Sequence, residues 1–317
     1  MIRSHPYVPV KQNGEERMEH ALAPFDFVAN AEDIHAYLAD QIPAHWHREL
    51  EVFYLVSGKT RIGAGDQVYD LSAGEGCAIN SGVLHSFLAL ADEPCRFRSF
   101  VFDASIIAGA PGSAFDTRYV RPFLASGAAF TRFERGEDAF FEAFSAAFSA
   151  CEAEEAGYEF TIRDSLSKIL ILTMRKMPSD AEAAPSQQEE RIKRMIEWID
   201  GHLECAVSVS EIARAAHVCP RVCQRLFKRY LHCRPMEYWM QRRVLAAART
   251  LAETDEPITS IAMRYAFANP SHFTREFHKT TGCTPTEYRA QGKGNRFISM
   301  NCKCIKTHDP CRRIPFR

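Results

Sequence analysis

The sequence predicts a multidomain α+β protein: an N-terminal β jelly-roll barrel with added helices, then a C-terminal all-α domain with two helix-turn-helix units. Three observations carry that reading. Residues 45 to 103 fall into short apolar segments separated by Ser57-Gly58-Lys59, Gly63-Ala64-Gly65-Asp66 and Ala73-Gly74-Glu75-Gly76, the pattern of short strands closing a small barrel. A motif in the last third of the chain occurs twice, fifty residues apart. The net charge of −1 over 317 residues is uneven: residues 1–186 hold 16 Lys+Arg against 27 Asp+Glu, whereas residues 187–317 hold 23 against 13. A basic C-terminal half beside an acidic N-terminal half points to a polyanion partner for the former.

In chain order, the barrel is expected over 20–105, a helical extension over 106–177, a linker over 178–190, the helix-turn-helix domain over 191–290 and a basic tail over 291–317. The opening MIRSHPYVPVKQNGEERMEH lacks the apolar stretch of a secretory signal, and nowhere do about 18 apolar residues follow one another. A soluble, cytoplasmic chain with no membrane partner is therefore expected. Its eleven cysteines follow no framework spacing, which suits reduced thiols.

Within the extension, two helical patterns run from Asp138 to Glu155 and from Phe160 to Met177. Phe140, Phe141, Phe144 and Phe148 share one face of the first, and Leu166, Ile169, Leu170 and Leu172 one face of the second. Such faces suit a homodimer interface or a cover for the barrel core. The linker PSDAEAAPSQQEE is polar and without periodic hydrophobes.

The repeat is specific. Cys219-Pro220 recurs as Asn269-Pro270, Arg225 as Arg275, Phe227 as Phe277, Cys233 as Cys283, Pro235 as Pro285 and Glu237-Tyr238 as Glu287-Tyr288, while Ile212-Ala213 recurs as Ile261-Ala262 at forty-nine. Each unit reads as a short helix, a tight turn and a second helix opened by proline, where the missing N–H costs nothing. In the first unit Ser208 or Ser210 caps a helix through Ala216, and Pro220 to Tyr230 forms the second helix. Val222, Leu226 and Phe227 are expected inward; Arg221, Gln224, Arg225 and Lys228 occupy the opposite face. Arginine can grip guanine and glutamine adenine with paired hydrogen bonds, while Lys228, Arg229 and Lys279 suit phosphates. In the second unit Asn269 is the N-cap, Phe273 and Phe277 face inward, and Ser271, Thr274, Arg275 and His278 face outward. Pro235 to Glu253 reads as one helix holding the two units, a spacing that fits successive major-groove segments about 34 Å apart.

The stretch from Val207 to Arg289 resembles the DNA-binding domain of the AraC/XylS family of regulators. That resemblance implies double-stranded DNA as a partner, base contacts from Arg221, Gln224, Arg225, Pro270, Ser271, Thr274 and Arg275, and RNA polymerase as a further partner if the protein activates. Three positions depart from it: Cys219 replaces a serine-like cap, Ala266 a glycine in the second turn, and Pro270 offers no side-chain hydrogen bond.

A second constellation lies upstream: His45-x-His47-x3-Glu51-x6-Gly58, then Gly74-x5-Asn80-x-Gly82-x2-His85. On a strand, positions 45, 47 and 51 would share one face, and His85 could join from another. Three imidazoles and a carboxylate suit Mn, Fe, Ni or Zn. The pattern is similar to the two motifs of the cupin superfamily, with Asn80 in place of the usual proline and Ala89 in place of the usual asparagine. The resemblance implies a jelly-roll barrel and a pocket lined by His45, His47, Glu51 and His85, with Tyr54 and Arg61. Regulators of the AraC type use such barrels as sensors, so the pocket is expected to take a small-molecule effector. No cofactor is required by this reading, though the ligand set admits a divalent metal, and no catalytic residue is assigned. The alternative is a metal-dependent cupin enzyme fused to a DNA-binding module.

The tail carries Cys302-x-Cys304-x3-His308-x2-Cys311, zinc-ligand types at an unfamiliar spacing, among seven Lys+Arg and one Asp. Non-specific DNA affinity is its expected contribution.

Overall fold

The computed structural model describes residues 2–3, 27–177 and 187–294. Most of the expected linker and tail, including Cys302, Cys304, His308 and Cys311, lies outside the described residues. The chain divides into two compact units after Gln187.

The first unit holds two β-sheets. Its strands are β1 (Ile2–Arg3), β2 (Phe27–Asp33), β3 (Gln41–His45), β4 (Leu50–Leu55), β5 (Lys59–Ala64), β6 (Gln67–Ser72), β7 (Gly76–Ile79), β8 (His85–Ala89), β9 (Arg96–Phe102) and β10 (Phe130–Phe133). One sheet has the order β1-β2-β9-β4-β7-β10, the other β3-β8-β5-β6. Two-residue alternation explains why β4 reads as an almost unbroken apolar run. Phe53 and Leu55 point between the sheets with Ile62, Phe87 and Phe97, while Leu50, Val52 and Tyr54 point to the other side. Gly58, at the β4–β5 turn, has φ +81°, and a Cβ there would meet the Pro94 carbonyl oxygen at 2.8 Å, so only glycine fits.

Four helices cover that other side: α1 (Ser105–Ala108), α2 (Arg121–Ala125), α3 (Asp138–Ala153) and α4 (Tyr158–Lys176). The periodic phenylalanines of α3 become a ladder, Phe140, Phe144 and Phe148, against Phe133 of β10 and Phe100 of β9. From α4, Leu166, Ile169 and Leu170 join the same core. Of the two roles open to these apolar faces, the structure assigns them to covering the sheet. Within the expected helical extension over 106–177 lies one strand, Phe130–Phe133, which pairs antiparallel with β7.

The second unit is helical throughout its described residues: α5 (Gln187–Asp200), α6 (Val209–Ala215), α7 (Pro220–Tyr230), α8 (Pro235–Glu253), α9 (Ile258–Arg264), α10 (Pro270–Thr281) and α11 (Pro285–Gly294). Helix α5 begins at Gln187, so the last four residues assigned to a linker are helical. Ser208 and Glu211 form a capping box on α6, and Asn269 Oδ1 accepts the His272 N–H at 2.8 Å on α10. The repeat is structural as well as textual: Phe227 meets Tyr238 edge to face at 5.8 Å, and Phe277 meets Tyr288 likewise at 5.4 Å. Arg242 of α8 holds Asp200 of α5 through a buried bidentate pair at 2.8 and 3.0 Å. The eight described cysteines form no disulfide.

Candidate functional site

Two groups of side chains stand out in the sequence, one on α7 and α10 and one in the first unit. In α7, Cys223, Leu226, Phe227 and Tyr230 are buried. Cys223 thus takes the inward place expected of Val222, which is half-buried at the edge. Arg221, Gln224, Arg225 and Lys228 are exposed on the opposite face. Arg229 is exposed too, but its Nη1 donates to Gln188 Oε1 at 3.1 Å. On α10, Phe273 and Phe277 are buried and Ser271, Arg275, His278 and Lys279 are exposed. Thr274 is half-buried and its hydroxyl donates to the Pro270 carbonyl at 3.0 Å, while Arg275 Nε approaches Glu276 at 3.4 Å. Cys219 makes no side-chain cap.

The turns inside the two units are alike. The Val218 N–H donates to the Ala213 carbonyl and the Phe267 N–H to the Ala262 carbonyl, each at 3.0 Å, closing the preceding helix in a Schellman motif. Such a motif needs a left-handed residue, and here His217 (φ 54°) and Ala266 (φ 52°) supply it without being glycine. His232, at φ 53°, takes the place that Gly282 holds fifty residues later. The strain expected at Ala266 is present, and shared with two histidines that sequence reasoning missed.

The second group lies between the sheets of the first unit. His45 ends β3, His47 sits in the corner before β4, Glu51 is on β4, and His85 opens β8, where it pairs with His45. His45, His47 and Glu51 do not share one strand as expected, because a corner linking two sheets separates them, while His85 joins from a later strand, β8, as expected. All are buried, between 1% and 5% exposed. The imidazole centroids are 4.2 Å apart for His45–His85, 4.9 Å for His47–His85 and 6.0 Å for His45–His47. Each ring places Nδ1 against a backbone carbonyl: His45 on Pro43 at 2.8 Å, His47 on Glu49 at 3.1 Å and His85 on Val83 at 2.8 Å. A carbonyl only accepts, so each Nδ1 carries its proton and, in the neutral ring, Nε2 carries a lone pair.

Glu51 Oε2 stands 3.2 Å from His85 Nε2 and 3.6 Å from His47 Nε2. Burial opposes ionisation of Glu51, but the two imidazoles that face it, His47 and His85, outweigh it and hold the carboxyl well below the usual range. Burial, reinforced by His85 and His47, pushes His45 well below the ordinary imidazole value, keeping it neutral. Ligand atoms of His45, His47 and His85 all lie within 4.8 Å of one another. Fixed Nδ1 donors behind inward-facing Nε2 atoms are the arrangement that orients metal ligands. The neighbouring loop is braced as well: the Gly82 N–H donates to the His47 carbonyl at 2.8 Å, and Asn80 Nδ2 to the Phe123 carbonyl of α2 at 3.1 Å.

Tyr54 and Arg61 do not belong to this group. Tyr54 is three residues from Glu51 on one strand and so faces the helices, meeting Phe141 and Phe144 at 5.5 and 5.7 Å. Arg61 lies between inward Thr60 and Ile62 and pairs outside with Asp70 at 2.7 Å. The interior beside the histidines is filled by Phe53, Phe87 and Phe97. A groove of about 270 Å³ is on the surface at Ser57, Glu93 and Arg96, and a void of about 10 Å³, room for one water, lies beside Glu51, Leu50, Phe123 and Ile169.

Comparison with known proteins places both halves. A helix-turn-helix domain family matches residues 212–291 and a cupin domain family matches residues 38–102. The chain is 22% identical over 285 residues to the uncharacterised HTH-type transcriptional regulator YdeC of Bacillus subtilis, covering 88% of this chain and 97% of that one. It is 34% identical over 101 residues to the regulatory protein SoxS of Salmonella typhimurium, covering 32% of this chain and 94% of SoxS. A structure of ToxT from Vibrio cholerae with bound unsaturated fatty acid is similar at a TM-score of 0.44 and 12% identity, over 86% of this chain and 98% of that one.

Proposed function

Since this chain belongs to the AraC type of helix-turn-helix transcription regulators, we propose that its DNA occupancy responds to a divalent cation held by His45, His47, Glu51 and His85. The carrying observation is the set of buried acceptors turned toward one another. His47 Nε2 and His85 Nε2 face the Glu51 carboxylate with their Nδ1 protons engaged elsewhere, and His45 completes the group; a cation between them, or a proton on one of the two facing rings, balances these acceptors. The residues therefore fit a metal, which would neutralise the carboxylate and fix the corner between β3 and β4. A sugar-sized effector fits less well, because aromatic side chains fill the space beside the centre; a ligand completing the coordination of the cation is the form of effector this site admits.

Arg221, Gln224 and Arg225 read bases in one major-groove segment, Ser271, Thr274 and Arg275 contribute in the next, and Lys228, Arg229 and Lys279 grip phosphates. Arg229 does so while anchored to Gln188, and Thr274 through a hydroxyl already bonded to Pro270. A homodimer, if formed through α3 and α4, uses their outer faces, and on α4 Phe160 and Ile171 remain exposed. None of the described helices is long and apolar enough to cross a membrane, and a cytoplasmic site of action follows from the DNA partner. The enzyme alternative is disfavoured by the burial of all four side chains.

The test is footprinting of DNA upstream of the protein's own and neighbouring genes, with chelator and with Zn²⁺, Mn²⁺, Ni²⁺ or Fe²⁺, for the native chain and for His47→Ala/His85→Ala. A metal-dependent change in occupancy that the double variant lacks supports the proposal. Occupancy indifferent to every cation, in a protein that purifies without metal, overturns it.

A further inference from the structure

The bulkiest fully buried side chain in the described residues is a cation, Arg243 of α8, 1% exposed. No carboxylate pairs with it among the described residues. Its guanidinium lies between two aromatic rings, 4.1 Å from the centroid of Trp239 and 4.1 Å from that of Phe267. Nε donates to the Tyr265 carbonyl at 2.7 Å, and Nη2 donates to the same oxygen. Burial pulls the guanidinium down to about 10, so it remains charged at neutral pH. Fifty residues earlier, at the spacing of the repeat, Lys193 is also buried, and its ammonium pairs with Glu189 of its own helix at 3.1 Å.

Tyr265 is the C-cap of α9, and the next residue is the strained Ala266. The Schellman bonds of this turn engage the carbonyls of Ala262 and Met263 and leave that of Tyr265 over. That carbonyl sits at the negative end of α9, where a cation is favoured. The other end of the same residue is tied to α8, for the Tyr265 hydroxyl is 2.9 Å from Thr250 Oγ1. Phe267, which follows, packs on Phe273 of α10 at 4.8 Å.

We infer that Arg243 is a positioning residue for DNA recognition: from the connecting helix it clamps the second turn and thereby sets the aim of α10 relative to α7. Glycine would adopt the left-handed turn without help; alanine needs the turn held. A planar fork that stacks on two faces and donates twice to one oxygen does this, and lysine does not reproduce it. The inference rests on the proposal that α10 enters a groove, and the experiment separates the two.

Arg243→Met, and Arg243→Lys should the first fold poorly, are compared with the native full-length chain in two measurements. Hydrogen exchange of the peptide spanning residues 264–270 should accelerate at least about tenfold while that of residues 213–220 is unchanged. In quantitative footprinting, the protein concentration protecting the α10 segment should rise at least about tenfold, and that for the α7 segment less than about threefold. Adding Ala266→Gly should restore both. His232→Gly relieves similar strain after α7, in the first helix-turn-helix, and should raise stability without restoring either. Equal loss at both segments, unchanged exchange at 264–270, or rescue by His232→Gly as full as by Ala266→Gly would make Arg243 an ordinary core residue and overturn the inference. If the native chain protects only one segment, α10 does not read DNA; the exchange result then decides on the clamp by itself.

Discussion

Glu51→Gln should stabilise the first unit in chelator and destabilise it relative to the native chain in metal. Glu51 Oε2 faces His85 Nε2 at 3.2 Å and His47 Nε2 at 3.6 Å, and once chelator removes any cation the facing atoms are acceptor against acceptor unless a ring is protonated. A glutamine amide donates to one of those lone pairs. Relief of one unsatisfied buried acceptor is worth about 1–3 kcal/mol. For a unit of this size each kcal/mol moves the unfolding midpoint by about 2–4 °C, so the variant should melt several degrees above the native chain in chelator. With free cation at a hundred times its Kd, the native chain gains about 2.7 kcal/mol, on the order of 5–11 °C. The variant, without the anionic ligand, gains much less, and the order of the two midpoints reverses. Differential scanning calorimetry in chelator and in each of four cations reads both signs. A variant that melts below the native chain in chelator would mean that Glu51 pairs with an imidazolium as a buried ion pair, and the case for a cation would fail.

Arg225→Ala should cost about 1–3 kcal/mol on the specific site and relax preference at one base pair, whereas Lys228→Ala should weaken all sequences alike and reduce the salt slope by about one; titrations at several salt concentrations separate them. Glycine at His217, His232 or Ala266 should each raise stability by up to about 1 kcal/mol in urea unfolding, since the native φ values lie in the left-handed region. The carboxyls of Glu211 and Glu287 are held below the ordinary value of 4.5, Glu211 mainly by the hydroxyl and N–H of Ser208 and Glu287 by the N–H and hydroxyl of Thr284. A depressed folded value means stability present above about pH 4.5 and lost as pH falls below it, a loss that Glu211→Gln/Glu287→Gln should lessen in helicity measured by circular dichroism.

Much of the second unit is legible because its periodicity repeats: helix α8 runs from Pro235 to Glu253, as patterned, and Asn269 caps as its type demands. The first unit is harder to read. Strand β10 is only Phe-Thr-Arg-Phe, too short to show alternation, and it lies among helices. The histidine cluster is visible as residue types but not as geometry, because the corner at residues 46–49 breaks the parity that a single strand would impose. That same parity does exclude Tyr54 and Arg61 once Glu51 and Ile62 are taken as inward. Arg243 interrupts a stripe of Trp239, Ala247 and Leu251 at four-residue spacing, which signals burial; nothing local signals that its partner is a carbonyl twenty-two residues on.

The histidine centre straddles a seam, with Glu51 on one sheet and His45 and His85 on the other. Its nearest spacer is aromatic: Phe53 and Phe87 stack across the same seam at 4.8 Å, and Phe87 abuts His85 at 5.8 Å. Ring thickness at that point therefore gauges how far apart the sheets stand, and with it the spacing of the four side chains. For the cation proposed above, selection among ions that differ by a tenth of an ångström in radius then need not reside in the four side chains at all. It can drift through Phe53 and Phe87, two hydrophobic positions that carry no donor atom, while the ligand motif stays letter for letter the same.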